Sequence, residues 1–417
     1  MNTPTISDLR PSPKKKSRGK LLAKFALILG SLTLTLIVIE AGLHIFDAQP
    51  PTATVFSTFF EYSPNTSWRG KPNVACRFKT ANFDAFTSHD ADGFRRCGLD
   101  ASFASDVTSS ERLVWVLGDS MVWGWGVDDG KTCVDMLNEH SRHSGEATRY
   151  RNLGLPGFSS LQEYLFLKEL LAAGHKPHQV LVAFYANDLP DNLDGHGDRP
   201  FVRITNDAPE IVNHPVAPSR LRNASWWFKN HCRTWNFAAY YWASFQHQRR
   251  HRRDLKAASA AEVAAQEQAA TSNDPTSQNG KTESLRSPEQ GDVPPEQQIA
   301  LCYSYQLIRD LCYEHGISFA VVSDFRPPIT LRNTCGELGV PLLDLSRRLA
   351  RNENSPDRER PWHFPTDPHL TEFGNRLMAE GIEEELERHS ANGEHSTAPA
   401  STARAESGLG RKSGNDR

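Results

Sequence analysis

The chain has 417 residues, which is too long for one small domain and suits one α/β domain with additions. Its 47 Lys and Arg nearly balance its 50 Asp and Glu, so bulk charge points neither toward nor away from nucleic acid, and we predict no nucleic-acid partner. The seven cysteines show no Cys-x-x-Cys or Cys/His spacing, and we therefore predict no metal and no cofactor.

The N-terminal region combines a basic tail, residues 1–24, with an apolar segment, residues 25–46. Residues 25–39 carry no charge, and continued past Glu40 and His44 to Phe46 the segment is about 33 Å long as a helix. Basic residues before an apolar segment predict a retained signal anchor, with the N-terminus in the cytoplasm and the rest of the chain outside. A cleaved signal peptide is the alternative, although no clear small-residue cleavage site follows the apolar segment.

Residues 47–110 are predicted to form an irregular extracytoplasmic segment, because Pro, Asn, Asp and aromatic residues are frequent and no period is sustained. Cys76 and Cys97 are close in sequence and are the most plausible disulfide pair in an exported protein. Cys302 and Cys312 lie about 15 Å apart along one predicted helix, too far to bridge each other.

From residue 112 onward, predicted strands and helices alternate regularly. Strands are predicted at 112–117, 150–155, 180–185, 317–323 and 340–345, and helices at 127–140, 159–173, 299–315 and 371–388. Residues 180–185 are nearly all apolar, as in a strand that is buried on both faces. The alternation predicts a domain over residues 111–388 with a parallel sheet and helices on both faces.

Two segments interrupt this pattern. Residues 191–298 form an insertion whose first half is rich in Trp, Tyr and Phe; we expect a helix packed on the core, with a lid or a membrane-leaning helix as alternatives. The basic run 249–253 is expected at a solvated helix end, with phospholipid headgroup contact as the weaker alternative. Residues 257–298 and the tail 389–417 are predicted to be disordered from their composition.

Polar residues follow the predicted strands at their carboxyl ends, which meet at one edge of a parallel sheet. Ser120, in the sequence Gly118-Asp119-Ser120, follows the first strand and opens a helix, where free N–H groups favour negative charge. Gly157 follows the second strand and offers an N–H with no side chain in the way. Asn187 follows the third strand, and its amide can donate a hydrogen bond. This pattern suits a nucleophile beside oxyanion donors.

A base and its orienting acid are predicted near the end of the domain. His369 and Asp367 come just before Thr371, a plausible N-cap of the last helix. A serine that attacks an acyl group needs a base, a partner for that base and donors for the oxyanion. His369 is therefore predicted to reach Ser120 as the base while Asp367 holds its ring.

Taken together, these blocks resemble the SGNH (GDSL-like) hydrolase family over roughly residues 113–192 and 299–388. The matching blocks are Gly118-Asp119-Ser120, Asn152 to Gly157, Tyr185-Ala186-Asn187-Asp188 and Asp367-Pro368-His369-Leu370-Thr371. The resemblance implies a flavodoxin-like three-layer α/β/α sandwich with a parallel sheet. It also implies Ser120 as nucleophile, His369 as general base and Asp367 as the partner of that base.

The resemblance further implies an oxyanion hole formed by the Ser120 N–H, the Gly157 N–H and the Asn187 side chain. Gly157 is preferred over Gly154 because the family glycine usually closes its block. One departure concerns the acid: many members have Asp-x-x-His, whereas a single residue separates Asp367 from the histidine here. The α/β-hydrolases share this chemistry, but Val122 stands where their Gly-x-Ser-x-Gly motif needs its second glycine.

The function implied by the resemblance is that of an extracytoplasmic, membrane-anchored serine esterase. It would act through an acyl-Ser120 intermediate on an O-acyl or O-acetyl ester of a small molecule or a polysaccharide. An O-acetyltransferase that modifies a cell-envelope polysaccharide is one alternative, and a non-catalytic binding protein on the same fold is another. Trp123 and Trp125 lie near Ser120 and are expected either to stack on a sugar or acyl chain or to pack against the sheet edge.

Overall fold

A computed structural model describes residues 18–46, 48, 58–80, 82–97, 111–195, 199–217, 220–242, 245, 249 and 293–391. The predicted disorder of 257–298 and 389–417 therefore falls mostly outside the described residues. Contacts divide the chain into two compact units. One comprises Met1–Thr54 and Asn223–Val263, and the other comprises Val55–Arg222 and Ala264–Arg417.

The strands in chain order are β1 (Phe60–Ser63), β2 (Ser67–Gly70), β3 (Ala75–Lys79), β4 (Asp84–Ser88), β5 (Arg112–Gly118), β6 (Thr148–Gly154), β7 (Gln179–Ala183), β8 (Phe201–Thr205), β9 (Ala208–Val212), β10 (Ser318–Val322), β11 (Leu342–Leu343), β12 (His363–Phe364) and β13 (Asp367–Leu370). The helices are α1 (Arg18–Ile45), α2 (Ser120–Trp123), α3 (Cys133–Ser144), α4 (Ser160–Ala172), α5 (Asp188–Asp191), α6 (Arg220–His231), α7 (233–242), α8 (Pro295–Glu314), α9 (Ile329–Leu338), α10 (Ser346–Glu353) and α11 (Glu372–Ala391).

The larger unit is built on a five-stranded parallel sheet in the order β11-β10-β7-β5-β6. Counted along the chain, this is the order 2-1-3-4-5 of flavodoxin-like folds, so the predicted fold class is confirmed. The strand order reverses between β5 and β7. In such sheets the crevice at the carboxyl ends of the strands flanking the reversal is where ligands bind.

Helices cover both faces of this sheet. Successive strand residues point to opposite faces, and on β5 Val114 and Val116 join the apolar core formed with α3 and α11. Trp115 and Leu117 are fully buried on the opposite face, where α4 and α8 pack together. This arrangement is the predicted three-layer sandwich.

Each strand and helix predicted between residues 111 and 388 overlaps an observed one, with one notable shift. The helix predicted from residue 127 begins only at Cys133. Thr132 forms its N-cap, and the reciprocal hydrogen bonds between Thr132 and Asp135 complete a capping box. The helix therefore begins at this cap and not at the first residue of the apolar pattern.

The prediction of an irregular segment over 47–110 is wrong for its described residues. Two antiparallel hairpins form there, β1 with β2 and β3 with β4, within the larger unit. Their strands have only four or five residues each, too few to show a sustained period in the sequence.

The proposed pair of Cys76 and Cys97 is also wrong, because no disulfide joins them. Cys97 is buried, with its Sγ 3.8 Å from the carbonyl oxygen of Tyr150, whereas Cys76 lies on β3. Cys302 and Cys312 both lie on α8 and do not bridge each other, as predicted.

The smaller unit contains α1 and the aromatic segment of the insertion. Within α1, Leu22–Ile45 has 24 residues with a mean hydropathy of 2.2, and its most apolar stretch has no buried residue. Length and composition alone therefore suit this helix to crossing a membrane. Residues 223 onward group with α1 and not with the sheet domain, so the packing of the aromatic segment on the core stays a prediction.

Candidate active site

The turn after β5 places Ser120 at the carboxyl edge of the sheet. A Cβ on Gly118 would lie 2.4 Å from Cγ2 of Val122, so only glycine allows α2 to fold back so closely. Asp119 is the N-cap of α2, and its carboxylate accepts a 2.8 Å hydrogen bond from the Met121 N–H. Ser120 is the first residue of α2 and is partly exposed.

The structure brings Ser120, His369 and Asp367 together. Nε2 of His369 lies 2.7 Å from the Ser120 Oγ, and Nδ1 of His369 pairs with the Asp367 carboxylate. Asp367 and His369 are two residues apart on β13, and because strand side chains alternate, both point to the same side. On a strand, the Asp-x-His spacing therefore places the acid and the base where they can pair.

Further hydrogen bonds fix this acid and the helix that follows it. The Asp367 carboxylate also accepts the His369 backbone N–H at 3.0 Å. Burial raises the pKa of Asp367, but the hydrogen bonds from His369 outweigh burial and hold the pKa below its ordinary value. Thr371 accepts the Gly374 N–H at 3.2 Å just before α11, so its prediction as an N-cap is confirmed.

The two tryptophans after Ser120 have different environments. The Trp125 ring stacks on the His369 imidazole, with ring centroids 5.4 Å apart and planes inclined by 28°. Trp123 is fully buried, and its Nε1–H donates to Nε2 of His89 at 3.0 Å. Of the two alternatives expected for these tryptophans, packing therefore holds for Trp123, whereas Trp125 contacts the candidate base itself.

His89 is a buried, neutral histidine that binds Trp123 of α2, the helix that begins with Ser120. Its Nε2 accepts from Trp123, so Nδ1 carries the proton and donates to the carbonyl oxygen of Lys71 at 3.2 Å. Burial, with a smaller effect of the Arg95 charge, lowers the pKa of His89 to about 3. Residue 89 lies in the segment predicted to be irregular, and no motif in the sequence marks it as part of the site.

Two backbone N–H groups are available as oxyanion donors. Among the described residues, neither the Ser120 N–H nor the Gly157 N–H donates to a protein acceptor. Gly157 has φ +75°, which favours glycine, and Nε1 of Trp68 donates to the carbonyl of the preceding Pro156 at 3.2 Å. Gly154 has a packing role instead, because a Cβ there would lie 2.3 Å from the Trp123 nitrogen.

The third predicted donor, Asn187, is held between two carboxylates. Its Nδ2 donates to Asp119 at 3.2 Å and to Asp191 at 3.1 Å. An amide nitrogen has two hydrogens, so donation to an oxyanion requires that one of these bonds be given up. Asn187 follows β7 and Ser120 follows β5, so the two residues flank the reversal in strand order.

Arg199 supports two of the candidate donors, Gly157 and Asn187, and nothing in the sequence indicated this role. Its guanidinium, largely buried, donates to the Gly157 carbonyl at 3.2 Å and to Asp191 at 3.0 Å. A further bond of 2.7 Å reaches Asp194. Since Asp191 also holds the Asn187 amide, one side chain connects Gly157 with Asn187. Arg199 lies in the predicted insertion, where no spacing signals it.

Three buried acids lie behind the nucleophile. Burial raises the pKa of Asp119, and it raises the pKa values of Glu163 and Asp188 well above the ordinary range. Repulsion by Asp119 raises the pKa of Glu163 further, and repulsion by Glu163 and Asp119 raises the pKa of Asp188. Burial thus disfavours the charged forms of all three carboxyl groups.

A small cavity of about 70 Å³ lies among core residues of the sheet domain, and no residue of the triad lines it. Met121 and Leu370, the immediate sequence neighbours of Ser120 and His369, line it together with other residues from several elements. These include Phe184, Tyr185, Phe325 and Trp362. The Tyr185 hydroxyl donates to the carbonyl of Pro368 at 3.4 Å and so connects the cavity wall with β13, the strand that carries the base.

No known protein-family profile matches the chain, and no curated protein matches it. Among solved structures, the psychrotrophic esterase EstA from Pseudoalteromonas sp. is 9% identical, with 68% of this chain and 100% of that chain covered and a TM-score of 0.36. The acetyl xylan esterase AlAXEase is 12% identical, with 66% and 99% covered and a TM-score of 0.34. AlinE4, an SGNH-hydrolase family esterase, is 13% identical, with 69% and 97% covered and a TM-score of 0.31.

Proposed function

We propose that this chain is a serine esterase that hydrolyses carboxylic esters through an acyl-Ser120 intermediate. The observation that carries the proposal is the 2.7 Å contact between the Ser120 Oγ and Nε2 of His369, whose other ring nitrogen is paired with Asp367. A nucleophile, a base and an orienting acid within hydrogen-bond reach are what acyl transfer by serine requires.

The reaction proceeds in two halves. The Ser120 Oγ attacks the ester carbonyl carbon while His369 takes its proton, and the oxyanion accepts bonds from the Ser120 and Gly157 N–H groups and from Asn187. The C–O bond to the alcohol then breaks, and His369 returns the proton to the departing oxygen. Water, deprotonated by His369, next attacks the acyl-serine, and the free acid leaves with Ser120 restored.

The resemblance to the SGNH hydrolases supports an O-acyl or O-acetyl ester as the substrate. Esters of small molecules and O-acetylated polysaccharides both belong to this class. Transfer to a sugar hydroxyl instead of water would use the same residues, with the acceptor as the only difference.

Labelling with a fluorophosphonate probe tests the proposal directly. We expect the probe to modify the Ser120 hydroxyl, because only a serine activated by a base attacks phosphorus readily. Mass spectrometry of the digested protein locates the adduct. An adduct elsewhere, or none at any serine of the folded protein, contradicts the proposal.

Asn187→Ala is expected to lower kcat for p-nitrophenyl acetate by about 10²–10³-fold, the usual effect of losing one oxyanion donor. KM should change much less, since the bond forms mainly with the oxyanion. Asn354→Ala is the matched control, because Asn354 is exposed and donates to the carbonyl of Ala350 at 2.9 Å at the end of α10. A loss of only a few-fold at Asn187 indicates a turn residue without an oxyanion role.

Arg199→Met is expected to lower kcat by up to about 10²-fold, because the donors Gly157 and Asn187 lose their common support. Arg199→Lys keeps the positive charge but loses the planar guanidinium with its several N–H donors. Its kcat should therefore lie between those of Arg199→Met and the wild type. Active-site titration with a fluorophosphonate measures the functional fraction, so that kcat refers to folded enzyme alone. An unchanged kcat in Arg199→Met contradicts the positioning role.

We propose further that α1 is a signal anchor over residues 25–46, which leaves the esterase domain, residues 111–388, outside the cytoplasm. The basic residues before the apolar segment support this topology. Alkaline phosphatase fused to the C-terminus is therefore expected to be active, because it needs an oxidising compartment. A cytoplasm-dependent reporter that is active at the same position contradicts the topology.

A further inference from the structure

The smaller unit carries a concentration of exposed aromatic side chains. They lie on α6, on α7 and just after α7, and each is between 39% and 66% exposed. They are Trp227, Phe228, Trp235, Tyr241, Trp242 and Phe245. So many large aromatic rings exposed within about twenty residues exceed what scattered surface residues explain, and such a patch marks an interaction surface.

This aromatic surface is fastened to the apolar helix α1 through Glu40. The Glu40 carboxylate accepts the backbone N–H groups of Arg233 at 2.7 Å and Thr234 at 2.8 Å, and the Thr234 hydroxyl at 2.6 Å. In return the Arg233 guanidinium donates to the carbonyl oxygen of Leu43 at 2.7 Å. The start of α7 is therefore bound to the last turns of α1.

Glu40 interrupts a segment that is otherwise apolar. A carboxylate in such a helix is costly unless hydrogen bonds satisfy it, and the first N–H groups of α7 supply those bonds. The contact falls near the C-terminal end of α1. A spanning helix leaves the hydrocarbon layer at its end, and Trp and Tyr concentrate at that level of a membrane.

We infer that α6 and α7 form an aromatic belt that lies in the outer interface of the lipid bilayer beside α1. The inference rests on the proposed membrane insertion of α1. The bilayer is favoured over a protein partner because the belt belongs to the same compact unit as an apolar helix whose most apolar stretch is not buried by any of the residues that the structure describes. The guanidinium of Arg249, 5.6 Å from the Phe245 ring, adds a cation suited to a lipid phosphate.

Tryptophan fluorescence offers a specific test, because residues 18–46 contain no tryptophan. The full chain is reconstituted in vesicles of phosphatidylcholine that is brominated near the headgroup end of its acyl chains, and its emission is compared with that in unbrominated vesicles. We expect marked quenching in the wild type. A variant in which Trp226, Trp227, Trp235 and Trp242 are all changed to Phe should lose most of that quenching, whereas Trp362→Phe should not.

Flotation of the same vesicles separates the two proposals. Protein that does not float with the vesicles contradicts the membrane insertion of α1. Protein that floats but shows no bromine quenching, or quenching that survives in the four-tryptophan variant, overturns the belt and leaves the anchor intact. Acrylamide, a water-soluble quencher, should reach these tryptophans only weakly in vesicles, and strong quenching by acrylamide also overturns the belt.

Discussion

Ser120→Ala is expected to abolish turnover of p-nitrophenyl acetate, with a fall in kcat on the order of 10⁶-fold. The reason is that the whole acyl-transfer route begins at the Ser120 Oγ, for which the oxyanion donors alone provide only weak residual catalysis. The fold should be unaffected, because the Ser120 side chain contacts His369 and caps no helix. Initial rates and the thermal midpoint of the purified variant measure the two effects.

A matched serine separates this result from a general effect of the substitution. Ser144 lies at the end of α3, where its hydroxyl donates to the carbonyl of Ser141 at 3.2 Å, and Ser144→Ala should keep the wild-type rate. The fluorophosphonate adduct should disappear in Ser120→Ala and persist in Ser144→Ala. Wild-type activity in Ser120→Ala contradicts the assignment of the nucleophile.

The sheet and the residues at its carboxyl edge were predictable for a physical reason. Strands buried on both faces are long apolar runs, and each ends in a short polar sequence that the parallel arrangement brings to one edge. Ser120, Gly157 and Asn187 thus fall at β5, β6 and β7 without any knowledge of contacts. His369 was predicted from the polar residues that precede the last helix, although its own strand, β13, has only four residues and shows no strand pattern in the sequence.

The supporting residues were not predictable because their roles arise from contacts between distant parts of the chain. His89 meets Trp123, and Arg199 meets Gly157, only after the polypeptide has folded. Neither residue lies in a periodic segment or a motif. The same holds for Glu40, whose partners Arg233 and Thr234 lie in the insertion, more than 190 residues later in the chain.

The charge pattern around the donors suggests how the site is prepared for an oxyanion. Asn187 is bonded to Asp119 and Asp191, and the positive charge of Arg199 lies against Asp191. Burial favours the neutral form of Asp119. The Arg199 charge therefore offsets that of Asp191, and the bond to Asp119 holds the Asn187 amide next to the turn that carries Ser120.

His369→Ala is expected to reduce kcat nearly as much as loss of the serine, because His369 is the only base that the described part of the chain places within hydrogen-bond reach of the Ser120 Oγ. Asp367 has a smaller role, since it fixes the tautomer of His369 and stabilises the imidazolium without itself taking the proton. Asp367→Asn should therefore reduce kcat by on the order of 10⁴-fold, clearly less than His369→Ala. Steady-state rates over a range of substrate concentrations, compared between the two variants, measure the difference.

Two features of the site decide how large the effect at Asp367 becomes. Trp125 stacks on the His369 ring and holds its plane without the acid, which limits the loss. In contrast, the Asp367 carboxylate accepts hydrogen bonds from both Nδ1 and the backbone N–H of His369. An amide at this position therefore disturbs the imidazole ring and the backbone of β13 at once, which increases the loss. Asp357→Asn, at an exposed acid paired with Arg360, is the matched control and should be silent. Equal and complete losses at Asp367 and His369 support a full triad, whereas an unaffected Asp367→Asn enzyme reduces the site to a Ser120–His369 dyad whose ring is oriented by Trp125.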